Sequence, residues 1–342
     1  MKRQKKASRR ILTYSALVLV LFALLGVAPY LAQSQDDSPA SLRPQPLAGV
    51  TSSMQNPLQI AILHWYNANL TTQFTTGTAP YGIAFDGAHI WVTNNGSNNV
   101  VKVDPSTGTV LGTFAVGTQP LAVAYDGANV WVANIGSNNV MKLSAATGAV
   151  LGTFAVGTQP DALVFDGTNI WVSNLVSNNV SKLKASTGAT VGTFSSGGTS
   201  PAGLAYDGTN IWVTNNGSGN VVKMSPAGAI LGTFTVGTEP TGIAFDGTNI
   251  WTANFGSNNV TKLSPTGTVL GTFAAGNGPN GLAYDGGNIW VTDFNGATVT
   301  KLKATTGATS GTFTVGSEPG NPAFDGANIW VTNFGSTTVS KL

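Results

Sequence analysis

The chain has 342 residues, with 43 glycines, no cysteine and only 9% charged residues, which excludes disulfides and thiolate metal sites and favours strands and turns over helices. Its net charge of +2 conceals a basic cluster, because six Lys and Arg precede residue 11 and the residues from 33 onward carry 10 basic and 14 acidic side chains, a net of −4. This mildly acidic body has no cluster of Lys and Arg for phosphates, so we expect no nucleic-acid partner.

An apolar segment follows the basic cluster. Residues 11–28 form a run of 18 residues with only four weakly apolar or polar interruptions. Positive charge before such a run keeps that end in the cytoplasm. The run is longer than the about 7–15 apolar residues of a signal peptide and barely reaches the length of a membrane span. The stretch that best matches a signal-peptidase site, residues 26–28, is followed by Pro29, which should hinder cleavage. We predict that residues 1–32 are an uncleaved export signal and anchor; cleavage, with secretion or release into a periplasm, is the alternative.

The next residues connect this segment to the body. Residues 33–56 contain Pro, Ser and Gln without hydrophobic periodicity, a composition typical of a flexible stalk. Residues 58–66 are apolar enough to dock on the body as a cover. We therefore assign 33–66 to a stalk and cover segment and 67–342 to one folded domain.

An internal repeat organises that domain. Asp-Gly dipeptides recur at spacings of 39 to 41 residues, and a Trp stands five residues after each Asp. The seven aspartates are Asp86, Asp126, Asp166, Asp207, Asp246, Asp285 and Asp325. Seven copies at one period indicate a repeat architecture.

Each unit contains four short runs of strand-forming residues. In the first unit they are residues 82–85, 90–93, 100–103 and 109–114. Asp-Gly between two such runs is a hairpin signal, because Gly accepts a positive φ and Asp bonds its own backbone. Four antiparallel strands repeated seven times predict an all-β, seven-bladed β-propeller. The repeated Trp is then core between blades, the Asp a turn residue, and the one Lys per unit an amphipathic side chain that runs toward water.

The ends of the repeat predict how the ring closes. The last unit stops at Leu342 and lacks its fourth strand, whereas Phe74 precedes Pro80 by six residues, as Phe114 precedes Pro120. We infer that residues 71–76 complete the seventh blade, which removes an open sheet edge. Pro322 falls in the innermost strand of that blade, where a missing N–H is tolerated.

Three stretches carry a family resemblance. Residues 90–94, 211–215 and 329–333 all read Ile-Trp-Val-Thr-Asn, and Gly-Ser-Asn-Asn-Val and Val-Gly-Thr-x-Pro motifs surround them. They resemble the namesake stretch of the YVTN family of β-propeller repeat proteins over about residues 74–342. The resemblance implies bacterial or archaeal surface and periplasmic propellers, and a wider relationship to the streptogramin lyases. For function it implies little, because propellers carry many unrelated activities.

Recognisable catalytic machinery is absent from the sequence. Streptogramin-lyase-like catalysis requires a histidine base with acidic residues and magnesium, but His64 precedes the repeats and His89 replaces a turn Asn, with no second His beside it. We assign no catalytic residue, no metal ligand and no cofactor. A lyase-like or hydrolytic enzyme with an unrecognised site remains the alternative to a binding module.

The candidate binding site lies where the units differ. After the last Asn of the second strand, units one to four carry Asn95, Ile135, Leu175 and Asn216, whereas the last three units carry Phe. The candidate ligand-binding residues are Phe255, Phe294 and Phe334 with the acidic Glu239, Asp293 and Glu318. Exposed aromatic surface of this kind marks contact sites; the alternative is that each Phe folds onto its own blade. We expect a monomeric, exported, non-catalytic propeller that binds a cell-envelope polymer, carbohydrate or protein.

Overall fold

A computed structural model describes residues 72–342. These residues form seven four-stranded antiparallel sheets, so the predicted all-β seven-bladed propeller is confirmed. Within residues 72–342 there is no helix of the length and apolar character that a membrane crossing requires. The predicted export signal, stalk and cover segment, residues 1–66, lie outside the described residues.

The first four blades follow one another along the chain. Blade 1 contains β2 to β5, at Pro80–Phe85, Ile90–Asn94, Asn99–Val103 and Val110–Ala115. Blade 2 contains β6 to β9, at Pro120–Tyr125, Asn129–Asn134, Asn139–Ser144 and Val150–Ala155. Blade 3 contains β10 to β13, at Pro160–Phe165, Asn169–Asn174, Asn179–Lys184 and Thr190–Ser195. Blade 4 contains β14 to β17, at Pro201–Tyr206, Ile211–Asn215, Asn220–Met224 and Ile230–Thr235, with a 3₁₀ turn at Asn216–Ser218.

The last three blades repeat this order. Blade 5 contains β18 to β21, at Pro240–Phe245, Ile250–Asn254, Asn259–Leu263 and Val269–Ala274. Blade 6 contains β22 to β25, at Pro279–Tyr284, Asn288–Asp293, Thr298–Lys303 and Thr309–Thr314, with a 3₁₀ turn at Phe294–Gly296. Blade 7 contains β26 to β28 and β1, at Pro319–Phe324, Ile329–Asn333, Thr338–Lys341 and Thr72–Thr75.

In the seventh sheet, β1 lies antiparallel to β28, with Phe74 opposite Val339. The Phe74 ring stacks on Trp330 at 5.5 Å between centroids. In blade 1 the corresponding pair, Phe114 and Trp91, lies at 5.6 Å. Phe74 therefore occupies in blade 7 the place that a fourth-strand Phe occupies in the other blades.

The Asp-Gly turns tie the first two strands of each blade together. Oδ1 of Asp86 accepts hydrogen bonds from the backbone N–H groups of Ala88 and His89, and Gly87 takes a φ of 91°. Oδ2 of Asp86 accepts a 2.8 Å hydrogen bond from the indole N–H of Trp91. All seven blades have this indole bond, at 2.7–2.8 Å. The repeated Asp thus satisfies both the turn and the buried Trp of its own blade.

Seven hydrophobic clusters lie between neighbouring blades. Each contains one repeated Trp, which is buried, and apolar residues of the next blade; Trp91, for example, packs with Val130 and Leu143 of blade 2. The predicted inter-blade position of the tryptophans is therefore confirmed. Since the second strand of every blade is buried on both faces, it carries consecutive apolar residues instead of alternating ones.

The repeated lysines do not run to water as expected. Each Nζ lies 4.4–5.5 Å from the Trp ring centroid of its own blade. Six of the seven donate a 2.7–2.9 Å hydrogen bond to a backbone carbonyl of the next blade. The six lysines that donate to a neighbouring carbonyl therefore join adjacent blades, whereas Nζ of Lys301 lies 4.0 Å from Oδ2 of Asp285 in its own blade.

The innermost strands, β2, β6, β10, β14, β18, β22 and β26, pack side by side around the channel. In each of them the register against the second strand shifts between the first and fourth residues, as between Pro80 and Ile83. Such a bulge frees its residues from the ladder and re-aims their side chains. Pro322 lies in β26 and lines the channel, as predicted.

Candidate ligand-binding face

One face of the ring carries the loops that enter the innermost strands and the loops that leave the second strands. Backbone hydrogen bonds join these two loops within a blade: the N–H groups of Phe255, Phe294 and Phe334 donate to the carbonyls of Glu239, Gly278 and Glu318 at 2.8–3.0 Å. The bonds fix the backbone from which the three Phe side chains project. The Asp-Gly turns lie on the opposite face.

The three phenylalanines touch one another across blade boundaries. The centroids of Phe255 and Phe294 lie 6.3 Å apart, and those of Phe294 and Phe334 lie 6.1 Å apart. All three side chains are half-buried. We call this row of rings the aromatic ridge. Each ring therefore contacts a ring of a neighbouring blade instead of packing only on its own blade.

A glycine makes room for one end of the ridge. A Cβ at Gly278 would lie 3.0 Å from Cε2 of Phe255 and 2.6 Å from Nδ2 of Asn295. Blades 2 and 5 carry Gln119 and Glu239 at this position. The missing side chain at Gly278 therefore allows the Phe255 ring to lean from blade 5 onto blade 6.

The three acidic residues of the predicted site fall into two environments. Glu239 and Glu318 are exposed at the loop face, and neither forms a salt bridge within residues 72–342. Both have a φ near 50°, at 51° and 49°, in the left-handed region. They lie beside Phe255 and Phe334, so the structure brings these two acids to the ridge.

Asp293, in contrast, is completely buried. Its carboxylate accepts hydrogen bonds from the Thr298 and Thr300 hydroxyls at 2.9 and 2.7 Å and from the backbone N–H of Gly276 at 2.9 Å. In blade 2 the same place holds Asn134, which donates to the Asn139 side chain. An Asp–Thr pair has replaced an Asn–Asn pair. Burial raises the pKa of Asp293, although the three hydrogen bonds act against the rise, and the carboxylate faces the blade interior.

The mouth of the central channel adjoins the ridge. A cavity of about 210 Å³ opens there, lined by the second to fourth residues of the innermost strands. The second residue differs in every blade, being Tyr81, Leu121, Asp161, Ala202, Thr241, Asn280 and Gly320. The Tyr81 ring meets the Phe334 ring edge to face at 5.5 Å, which makes Tyr81 the link between ridge and channel.

Buried hydroxyl groups hold the strand bulges at the mouth. The Thr93 hydroxyl accepts from the N–H of Gly82 at 2.8 Å and donates to the carbonyl of Leu121 in the next blade at 2.8 Å. Ser173, Thr214, Thr292 and Thr332 form the same bridge. The bridges fix the backbone at five of the seven blade boundaries, whereas blades 2 and 5 have Ala133 and Ala253 in place of the hydroxyl residue.

The polar residues of the mouth interact across the channel. Asn280 donates hydrogen bonds from Nδ2 to the Tyr81 hydroxyl and to the Gly320 carbonyl, both at 3.2 Å. Burial and the negative charge of Asp161 raise the pKa of Tyr81 to about 12, although the hydrogen bond from Asn280 acts in the opposite direction. Burial raises the pKa of Asp161 to about 6. These two titratable groups lie on blades 1 and 3.

The channel mouth is the part of the face that sequence reasoning missed. The signal was present, because the residue after the repeated Pro varies from blade to blade as strongly as the Phe position does. Variation at an otherwise regular position of a repeat indicates a residue released from the structural role of its neighbours. The repeat did not reveal that five of these seven positions, although about 40 residues apart in sequence, line one cavity: Tyr81, Asp161, Ala202, Thr241 and Asn280.

The part of the chain that the structure describes contains no cluster of metal-ligating side chains. No group of three or more His, Cys, Asp or Glu side chains in residues 72–342 is placed to hold a metal ion. His89 lies in an Asp-Gly turn, with Nδ1 at 3.5 Å from Oδ1 of Asp86. It is therefore on the face opposite the ridge.

Proteins with a similar fold occur among solved structures. No family model and no curated protein matches the sequence. Among solved structures, a streptogramin B lyase is similar with a TM-score of 0.69 and 19% identity over 80% of this chain and 96% of that one. Virginiamycin B lyase from Staphylococcus aureus has a TM-score of 0.69 and 18% identity over 80% and 98% of the two chains. Hydrazine synthase from Kuenenia stuttgartiensis has a TM-score of 0.69 and 20% identity over 79% and 96%. The chain shares its seven-bladed fold with these proteins.

Proposed function

We propose that this protein is an exported, non-catalytic binding or scaffold module whose ligand lies on the face formed by the aromatic ridge and the channel mouth. The N-terminal segment would hold the propeller outside the cytoplasm at a membrane. The ligand is a cell-envelope polymer, carbohydrate or protein that presents an apolar or sugar surface to the ridge.

One observation supports this proposal above the others, namely the continuous path from the ridge into the channel. Phe255, Phe294 and Phe334 contact one another in series and the last contacts Tyr81 at the mouth. A propeller blade does not require these rings, because blades 1 and 4 have Asn95 and Asn216 at the same position. Half-buried aromatic rings that the fold does not need, next to a polar recess, are typical of contact surfaces.

The test replaces the ridge. In the full-length protein, Phe255, Phe294 and Phe334 are changed together to Ser, and binding to insoluble cell-wall preparations is measured by co-sedimentation. The expected result is loss of binding with the melting temperature nearly unchanged. The matched control changes Ile135 and Leu175 to Ser, at the equivalent loop positions of blades 2 and 3, and retains binding. Unfolding of the triple variant would show that the rings are core and overturn the proposal.

A lyase-like enzyme is the second candidate. It is favoured by the fold shared with the streptogramin B lyases and by two titratable groups, Tyr81 and Asp161, that both line the channel recess. A carboxylate with a pKa near 6 is in the range of a general base. In those relatives, a virginiamycin B lyase with one His replaced by Ala is catalytically inactive, and no His lies on the ridge face of residues 72–342 here.

The assay that separates the two is the linearisation of a streptogramin by purified full-length protein, with and without magnesium. We expect no turnover. Turnover that disappears in an Asp161→Asn variant would establish the enzyme in place of the binding module.

A further inference from the structure

The recess at the channel mouth offers hydrogen-bond acceptors that the protein leaves unused. The Asn280 amide nitrogen donates to Tyr81 and Gly320, and the Asn321 amide nitrogen donates to the Tyr81 carbonyl at 3.4 Å. Their amide oxygens and the Asp161 carboxylate accept no hydrogen bond from residues 72–342. The three residues that carry these acceptors come from blades 3, 6 and 7 and line one recess.

The recess also carries an uncompensated negative charge. Asp161 is the single charged residue among the described residues that line it, and it takes part in no salt bridge within residues 72–342. A carboxylate that is partly removed from water without a donor is unfavourable. A ligand that supplies both positive charge and donors would satisfy it, whereas an anion would be repelled.

The geometry selects the kind of cation. The cavity of about 210 Å³ is below the roughly 300–1,000 Å³ of pockets for whole drug-sized ligands, so it takes one group of a larger ligand. An ammonium group has three rotatable donors and can turn toward acceptors that come from different blades, whereas the planar guanidinium prefers a two-pronged partner. A calcium site usually has more than one carboxylate ligand, and this recess has one.

The depth of the recess favours an ammonium group at the end of a long side chain. Tyr81, Asp161 and Asn280 lie one residue inward from the repeated Pro at the loop face, a rise of about 3.3 Å along a strand. A lysine side chain reaches this depth on its flexible four-carbon stem, while the amine of an amino sugar is attached directly to its ring. We propose that the recess binds the lysine ammonium group of a peptide or protein whose chain lies on the aromatic ridge; this rests on the binding function proposed above.

The experiment compares two capped pentapeptides, Gly-Phe-Gly-Lys-Gly with a free lysine amine and the same peptide with that amine acetylated. Each is titrated calorimetrically into the full-length protein at pH 7.5. The free-amine peptide is expected to bind about tenfold more tightly or better, since it adds charge-assisted hydrogen bonds. Asp161→Asn is expected to remove this preference, and Leu121→Asn, the equivalent position of blade 2, to retain it.

The Asp161→Asn variant is expected to fold. Because burial raises the pKa of Asp161 to about 6, the folded state binds its proton more tightly than the unfolded state, and Asp161 lowers the stability as pH rises from about 4 to 6. The variant should therefore melt at the wild-type temperature or higher at pH 7.5. The lysine preference should also weaken at pH 5, where the carboxyl group of the free protein is mostly protonated; Tyr81, the other titratable lining residue described, stays neutral at both pH values.

Three results would overturn the inference. Equal affinity of the two peptides at pH 7.5 is one, and an unchanged preference in Asp161→Asn is another. The third is that the two peptides bind equally well, while glucosamine tetramer binds more tightly than N-acetylglucosamine tetramer and this difference depends on Asp161. If the two peptides bind with equal affinity but the triple Phe→Ser variant still fails to bind cell-wall polymer, the proposed function stands without the lysine site. If the Asp161-dependent preference persists without any ridge-dependent binding, the recess stands and the ridge function fails.

Discussion

The inter-blade lysines provide a quantitative prediction about stability. Nζ of Lys142 donates to the carbonyl of Ala185 at 2.7 Å and lies 5.3 Å from the Trp131 centroid, with the lysine 8% and the alanine 7% exposed. Lys142→Met keeps the stem but leaves a buried carbonyl unpaired, which costs about 1–3 kcal/mol. The lost cation–π contact adds about 0.5–2 kcal/mol, and release of a desolvated charge offsets part of both.

We therefore expect Lys142→Met to lower the free energy of unfolding by about 1–3 kcal/mol, or the melting temperature by roughly 2–10 °C at this domain size. Thermal and urea unfolding followed by tryptophan fluorescence measure both. The matched control is Lys184→Met, an exposed lysine in the next blade, which should change stability by less than about 0.5 kcal/mol. Equal effects of the two substitutions, or a stabilised Lys142→Met, would refute a stabilising role for these lysines.

Three further predictions concern closure, acid stability and export. Deletion of residues 67–78 removes β1 and should lower the melting temperature by exposing a sheet edge; an unchanged melt would contradict closure by this strand. Burial alone raises the pKa of six of the Asp-Gly aspartates, but hydrogen bonds from Trp and backbone N–H groups hold it below the usual value. Their stabilisation is thus present above pH of about 4 and lost as pH falls further, and a melting temperature that rises on acidification from pH 4 to pH 2 would contradict this. Protein recovered from native membranes should retain residue 1, and an N-terminal sequence that starts at or after Pro29 would instead show cleavage.

Local patterns were enough to predict the blade. The strand runs 82–85, 90–93, 100–103 and 109–114 differ by at most two residues at either end from β2 to β5. Asp-Gly turns and seven regular spacings define this architecture through local chemistry, so tertiary context had little to alter. Export and anchoring by the N-terminal segment concern residues outside the described part of the chain and stay predictions.

Contacts between blades were harder to predict. Lys142 was expected to extend toward water because the sequence does not show that a carbonyl 43 residues away lies within reach. Asp293 looked like a surface acid, yet its Thr298 and Thr300 partners bury it. The channel mouth joins Tyr81 to Asn280 across 199 residues. Each of these features depends on ring geometry, which the repeat period implies but does not place residue by residue.

The central claim is that ligand binds the ridge face, and hydrogen–deuterium exchange of the full-length protein with and without cell-wall polymer tests it directly. The account predicts slower exchange in the backbone segments around Phe255, Phe294, Phe334 and Tyr81, and unchanged exchange in the seven Asp-Gly turns on the opposite face. Slower exchange confined to the Asp-Gly turns or to the outermost strands, with the ridge segments unchanged, would contradict it.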